Sequence, residues 1–200
     1  MRDFYIIKEY QEILDESFIP QRADESSAGY DFKAAEDIIV PSIINSYRKM
    51  RASLLYRENH ASNVDEIEEI EKLLYSNTVF PLSEIEKINK EYNFKATMIP
   101  TGIKARMDNN NVLKIYPRSS TGCKSLLTLP NNVGIIDASY YNNPDNEGHI
   151  YIPVINLSPF DILIKKGDRI AQGIFVDYYT TKNDLPQKKS RDGGFGSSGR

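Results

Sequence analysis

Apolar positions change their spacing twice along the 200 residues. Over 1–41 they fall in short runs, FYIIKEY, FIPQRAD and GYDFKAAEDIIVP, with turn-forming residues between them. Over 94–180 the style returns: FKATMIPTGIKARM, NVLKIYP, LLTLP, VGIIDASYY, HIYIPVINLS and DILIKKGDRIAQGIFVDYY are rich in Val, Ile, Tyr and Phe and cut by Gly, Pro and Asn. Closely spaced short strands of this kind predict a mainly β domain, a barrel or a distorted jelly roll.

Residues 42–93 follow another period. In SIINSYRKMRASLLYRE the apolar residues Ile43/Ile44, Tyr47, Met50 and Leu54 recur at helical spacing. Val64, Ile67, Ile70 and Leu74 form a second stripe with acids opposite, and Ser83 and Glu86 have capping-box spacing after Pro81. The pattern predicts two or three amphipathic helices inserted into the β domain, packed on each other and on its outer wall. An exposed apolar stripe would instead mark a surface for a protein partner. The organisation expected is therefore 1–41 plus 94–180 as a β domain, 42–93 as a helical insertion, and 181–200 as a flexible C-terminal arm. The arm's RDGGFGSSGR has the composition of a loose tail.

Composition narrows the chemistry. A net charge of −3 gives no electrostatic case for nucleic acid or an anionic membrane. The single cysteine, Cys123, excludes an intrachain disulfide framework and fits a reducing cytoplasm. His60 and His149 lie far apart with no CxxC near either, which argues against a zinc centre. Magnesium held mostly by substrate phosphates needs few protein ligands and stays open.

Three stretches could carry chemistry. YPRSSTGCKS offers the Arg118 guanidinium and the Ser119 and Ser120 hydroxyls to phosphate oxygens, with Gly122 allowing close backbone approach. It lacks the first glycine and the GK[ST] adjacency of a Walker A loop, and taken alone PRSSTG has the composition of an ordinary turn. NNVGIIDASYY delivers Asp137 at the end of an apolar strand, where an acid can serve as general base or simply as a turn residue, and Tyr140 follows. GDRIAQGIF places Gln172 within a strand after the Gly167-Asp168 turn.

SAGYD, PRSSTG, NNVGIIDASYY, GDRIAQ and GGFGSSG occur in this order, and together they resemble the five motifs of the trimeric dUTPase family over about three quarters of the chain. The resemblance implies jelly-roll subunits in a homotrimer with shared active sites, hydrolysing dUTP to dUMP and pyrophosphate with Mg²⁺. It implies that Asp31 holds the Mg²⁺ shell through water and that Arg118, Ser119, Ser120 and Gln172 contact phosphate. Asn131 and the hairpin from Gly134 to Tyr140 would receive uracil and deoxyribose, with Tyr140 against the sugar where a 2′-hydroxyl would sit. Asp137 would deprotonate the attacking water. The arm would close over the nucleotide, with Phe195 on uracil and Arg191, Gly196, Ser197 and Ser198 at the phosphates. Glycine amides and one aromatic ring suit that task.

The chain departs from the family pattern in three places. NNPDN lengthens the hairpin after Tyr140, where a tight turn is more usual. Arg191 stands four residues before Phe195, where five is common. The helical stretch has no counterpart in the minimal pattern. The related dCTP deaminases carry RSSxxR and no GGFG tail, and here Lys124 stands near the expected arginine. A dUTPase-like regulator acting through 42–93 is the reading from another class.

Overall fold

The computed structural model describes residues 1–75, 79–92 and 94–184. In chain order its strands and helices are β1 (Arg2–Ile6), β2 (Gln21–Arg22), β3 (Tyr30–Lys33), β4 (Ile38–Val40), α1 (Ile43–Glu58), α2 (Val64–Tyr75), α3 (Leu82–Glu91), β5 (Thr97–Pro100), β6 (Ile103–Met107), β7 (Asn111–Pro117), α4 (Ser119–Ser125), β8 (Leu127–Thr128), β9 (Gly134–Asp137), β10 (Tyr151–Asn156), β11 (Ile162–Ile164) and β12 (Arg169–Asp177). The strands form a five-stranded sheet, β2-β3-β12-β7-β9, a three-stranded sheet, β5-β10-β8, and the pairs β1-β6 and β4-β11. Every pairing between these strands is antiparallel.

Alternation explains why these residues make strands. Along β10, Ile152, Val154 and Asn156 are buried while Tyr151, Pro153 and Ile155 are only partly covered. Period-2 burial of β-branched residues is what one packed sheet face requires. The inward side chains meet in one core around Phe32, Ile99, Ile103, Leu113, Ile115 and Ile152. Fully burying each contributes about 1.5–3 kcal/mol.

Between β4 and β5 lie α1, α2 and α3, which depart in detail from the expected stripes and caps. Met50, Leu54 and Ile70 are buried, with Leu73, Leu74, Tyr92 and Phe94 around them, in a cluster of their own rather than as part of the barrel core. Tyr47 and Val64, predicted on the apolar stripes, are exposed. Ser83 is not the cap of α3: Pro81 is, without a side-chain bond, so the helix starts ahead of the capping-box spacing. At the other end of the segment the junction is polar. The fully buried Ser42 caps α1, its Oγ accepting from Asn45 N at 3.2 Å and donating to the Ser158 carbonyl at 2.5 Å. Its own N–H donates to Asp161 at 2.9 Å.

Two stretches differ from the expected elements. FYIIKEY leaves strand geometry after Ile6, and Lys8–Tyr10 form a 3₁₀ turn that buries Tyr10. Ser119–Ser125 are not a turn but the seven-residue helix α4, closed by Leu126 in the left-handed region at φ 54°. Ser, Thr and Gly have poor helix propensity, so composition hid it.

Candidate active site

Strand register brings three of the motifs together. Gln172 on β12 pairs with Asp31 on β3, and on the other side Gln172 and Ala171 pair with Tyr116 and Pro117 at the end of β7. Arg118 follows directly as the residue before α4, so Asp31, Arg118 and Gln172 converge at one end of the five-stranded sheet. Ser119 and Ser120 lie in the first turn of α4, Ser119 exposed and Ser120 half-buried.

Asp31 is the electrostatic centre of this group. Its Oδ1 accepts from Arg118 Nε at 2.8 Å and its Oδ2 from Arg169 Nη1 at 3.0 Å. The Asp31 and Arg118 side chains are 16% and 22% exposed, so solvent screens the pair less than a surface bridge. Tying Nε to a carboxylate fixes the plane of the guanidinium, and Arg118 Nη1 lies 3.4 Å from Ser120 Oγ. Gln172 Nε2 donates to the Pro117 carbonyl at 3.2 Å. Gly29 of SAGYD lies against this group: a Cβ there would sit 2.6 Å from Gln172 Oε1 and displace the amide. At Gly122 a Cβ would meet only Leu127 O, at 4.0 Å, so the protein's own packing leaves room there.

The second set lies elsewhere. Asn131 is exposed in the turn before β9, Gly134 pairs with Ile115, and Asp137 at the end of β9 pairs with Val112. Asp137 therefore sits at the start of β7, while Pro117 and Arg118 sit at its finish. At about 3.3 Å per residue, roughly 17 Å of strand separates the two ends. Within one chain the expected base and the expected phosphate-binding arginine are not brought together.

Tyr140 stands on the 3₁₀ turn after Asp137. Its hydroxyl donates to the His149 carbonyl at 3.0 Å and accepts from Asn146 Nδ2 at 2.7 Å. Burial raises its pKa above the ordinary phenol value. The lengthened hairpin that carries Asn146 is ordered by its own contacts. Lys104 Nζ bonds Glu147 and Asn142 Oδ1, and the Lys104 ammonium lies over the Tyr141 ring. His149 is buried with Nε2 accepting from Gly102 N at 2.9 Å, which fixes the neutral Nδ1–H tautomer, and burial pulls its pKa down to about 4. Arg191, Phe195, Gly196, Ser197 and Ser198 lie outside the described residues.

Among the described residues no three His, Cys, Asp or Glu side chains gather to hold a metal unaided. Asp31 fits Mg²⁺ only in the outer shell. Both its oxygens already accept from guanidinium, yet each keeps a lone pair for a metal-bound water.

The dUTPase family model matches residues 81–199, more than half of the chain. The chain belongs to the dUTPase family. The deoxyuridine 5′-triphosphate nucleotidohydrolase of Lactococcus lactis is 35% identical over 182 residues, covering 90% of this chain and 87% of that protein. The enzyme of the same name from Finegoldia magna is 39% identical over 107 residues, covering 52% of this chain and 71% of that protein. The crystal structure of dUTPase from Streptococcus mutans superposes with a TM-score of 0.60 at 27% identity, covering 90% of this chain and 98% of that one. The resemblance noted from the motifs thus extends further than they do. The L. lactis alignment leaves about a tenth of the chain outside, so it runs through 42–93 as well as the motifs.

Sequence reasoning missed three residues around this site. Arg169 lies inside the quoted GDRIAQ, but only the β3–β12 register shows that it shares Asp31 with Arg118. Asn146 stands in the sequence only as extra hairpin length. For His149, the apolar HIYIPVI around it is the signal for a buried structural histidine.

Proposed function

We propose that the protein hydrolyses dUTP to dUMP and pyrophosphate in an active site divided among three copies of the chain. The separation of Asp137 from Arg118 along β7 carries this reading beyond family membership. A water activated by Asp137 has to reach the phosphorus whose oxygens Arg118 steadies. One chain holds these groups at opposite ends of a strand, and neighbouring copies, each lending one end, complete the site.

In this reading Asp137 takes a proton from the attacking water. Arg118, held in plane by Asp31, meets the phosphate oxygens together with Ser119, Ser120 and Gln172. Tyr140 packs under the deoxyribose, and Asn131 and the Gly134 strand face the base. Arg191, Phe195 and Gly196 to Ser198 close the far side. Mg²⁺ on the triphosphate supplies charge neutralisation, with Asp31 hydrogen-bonded to its water shell. Phosphoanhydride cleavage needs mainly alignment and charge cancellation, which this set provides. The cytoplasm is the compartment where such a substrate and the free Cys123 thiol both belong.

The test is turnover of dUTP by the purified chain with Mg²⁺, beside Asp137→Asn. The amide keeps the shape but takes no proton, so the rate should fall about 10²–10⁴-fold with nucleotide still bound. A parent chain inert toward dUTP overturns the activity. A variant within a few-fold of the parent removes Asp137 as base, and an active monomer in light scattering overturns the shared site.

A further inference from the structure

The hairpin between Tyr140 and His149 is longer than a tight turn, and one of its extra residues, Asn146, reaches the Tyr140 hydroxyl. Asn146 is half-buried, and its side chain bonds in two directions. Oδ1 accepts from Gly148 N at 3.1 Å and Nδ2 donates to Tyr140 Oη at 2.7 Å. The Gly148 N–H needs an acceptor, so it fixes which end of the amide faces it. That leaves the NH₂ for Tyr140, and the tyrosine's own proton points to the His149 carbonyl at 3.0 Å. The backbone reinforces this closure. His149 N donates to Asn146 O at 2.9 Å, and Gly148 takes φ +80° where a Cβ would overlap the Tyr140 carbonyl oxygen. The loop is fastened to the barrel through Glu147, which pairs with Lys104 and accepts from Lys8 N at 3.0 Å.

We propose that Asn146 is a positioning residue for sugar selection: by holding the Tyr140 hydroxyl from a braced loop, it makes the ring a fixed wall that has no room for a 2′-hydroxyl. The inference rests on the reading of Tyr140 as the surface under the deoxyribose. A tyrosine discriminates one added oxygen only if its ring cannot swing aside. A phenol anchored at its far end by a donor and an acceptor has lost that freedom. A tight turn after Tyr140 would have no side chain at this place, so the extra residues give the chain a second fastening for its sugar wall.

The experiment compares kcat/KM for dUTP and UTP in the parent, Asn146→Ala, Tyr140→Phe, the double variant and Tyr140→Ala. Tyr140→Phe deletes only the hydroxyl and keeps the Asn146–Gly148 turn, so it carries the test even if Asn146→Ala loosens the loop. Each single variant is expected to lower the dUTP/UTP ratio about ten-fold, chiefly through a lower KM for UTP. The double variant should fall no further than Tyr140→Phe alone, since Asn146 acts on the ring only through the hydroxyl that this variant removes. A ratio within two-fold of the parent in Asn146→Ala, with Tyr140→Ala having lost selectivity, overturns the proposal and leaves the wall reading standing. So do losses that multiply in the double variant. A parent ratio retained in Tyr140→Ala removes the wall itself, and the proposal with it.

Discussion

The barrel and the helical segment bury apolar side chains by the same physics and to different ends. In the barrel, one continuous core joins strands far apart in sequence, such as β1 with β6 and β3 with β12, and Asp31, Gln172 and Asp137 lie on its strands. In the helical segment, Met50, Leu54 and Ile70 make a small core between neighbours in the chain. It meets the barrel through Ser42, Asp161 and Ser158, a polar junction. A core closed over long loops fixes geometry across the molecule, and a local one mainly holds itself together. Catalytic groups that must stay in register therefore belong on the first kind.

The largest expected effect divides the two cores. Leu113 and Leu54 are both fully buried leucines, so truncation to alanine costs each about 2–5 kcal/mol locally. Leu113→Ala should lower the global unfolding midpoint and turnover together, because β7 carries both ends of the proposed site. Leu54→Ala should speed hydrogen exchange within α1 and α2 and leave dUTP turnover near that of the parent. Equal falls in the global midpoint would mean that the two cores unfold as one and that the distinction is wrong.

The same contrast governs what was legible in the sequence. Strand texture, the helical period of 42–93 and the order of the motifs could all be read from local spacing. The Asp31–Arg118–Arg169 cluster could not, because it exists only once β3, β7 and β12 are in register, and register between strands so far apart in sequence leaves no local trace. Nor could α4, whose Ser119, Ser120, Thr121 and Gly122 favour turns on propensity and become helical by context. The placement of Asp137 and Arg118 at opposite ends of β7 is likewise a property of pairing: VGIIDASYY puts Asp137 on a strand but says nothing of which end of β7 it faces.

His149 sharpens the comparison through pH, because its ring is part of the barrel's closure at Gly102. Its ordinary pKa is near 6.5 and burial lowers it to about 4, so the unfolded chain binds a proton that the folded chain refuses. Stability from this residue is complete above about 6.5 and is lost as pH falls toward 4, by up to about 3 kcal/mol. Urea midpoints should drop across that window, above the range in which most carboxylates titrate. His149→Gln keeps an acceptor for Gly102 N and should flatten the slope. An unchanged slope in that variant would assign the acid sensitivity to other groups.

The smallest expected effect lies at the junction. Ser42 is buried and does two things with one hydroxyl, accepting from Asn45 N at 3.2 Å and donating to the Ser158 carbonyl. Ser42→Ala removes both bonds and leaves the Ser42 N–H still donating to Asp161. Loss of a serine cap costs about 1 kcal/mol, roughly a five-fold change in a local opening equilibrium. If the helical segment is fastened at a polar hinge and not through the barrel core, that cost stays within the first turns of α1. Amides of residues 45–47 should then exchange about five-fold faster, with the global midpoint and dUTP turnover close to the parent's. A fall in the global midpoint as large as that of Leu113→Ala would show that the hydroxyl braces the barrel itself, and the boundary between the two regions would have to be drawn past the β4–β11 pair.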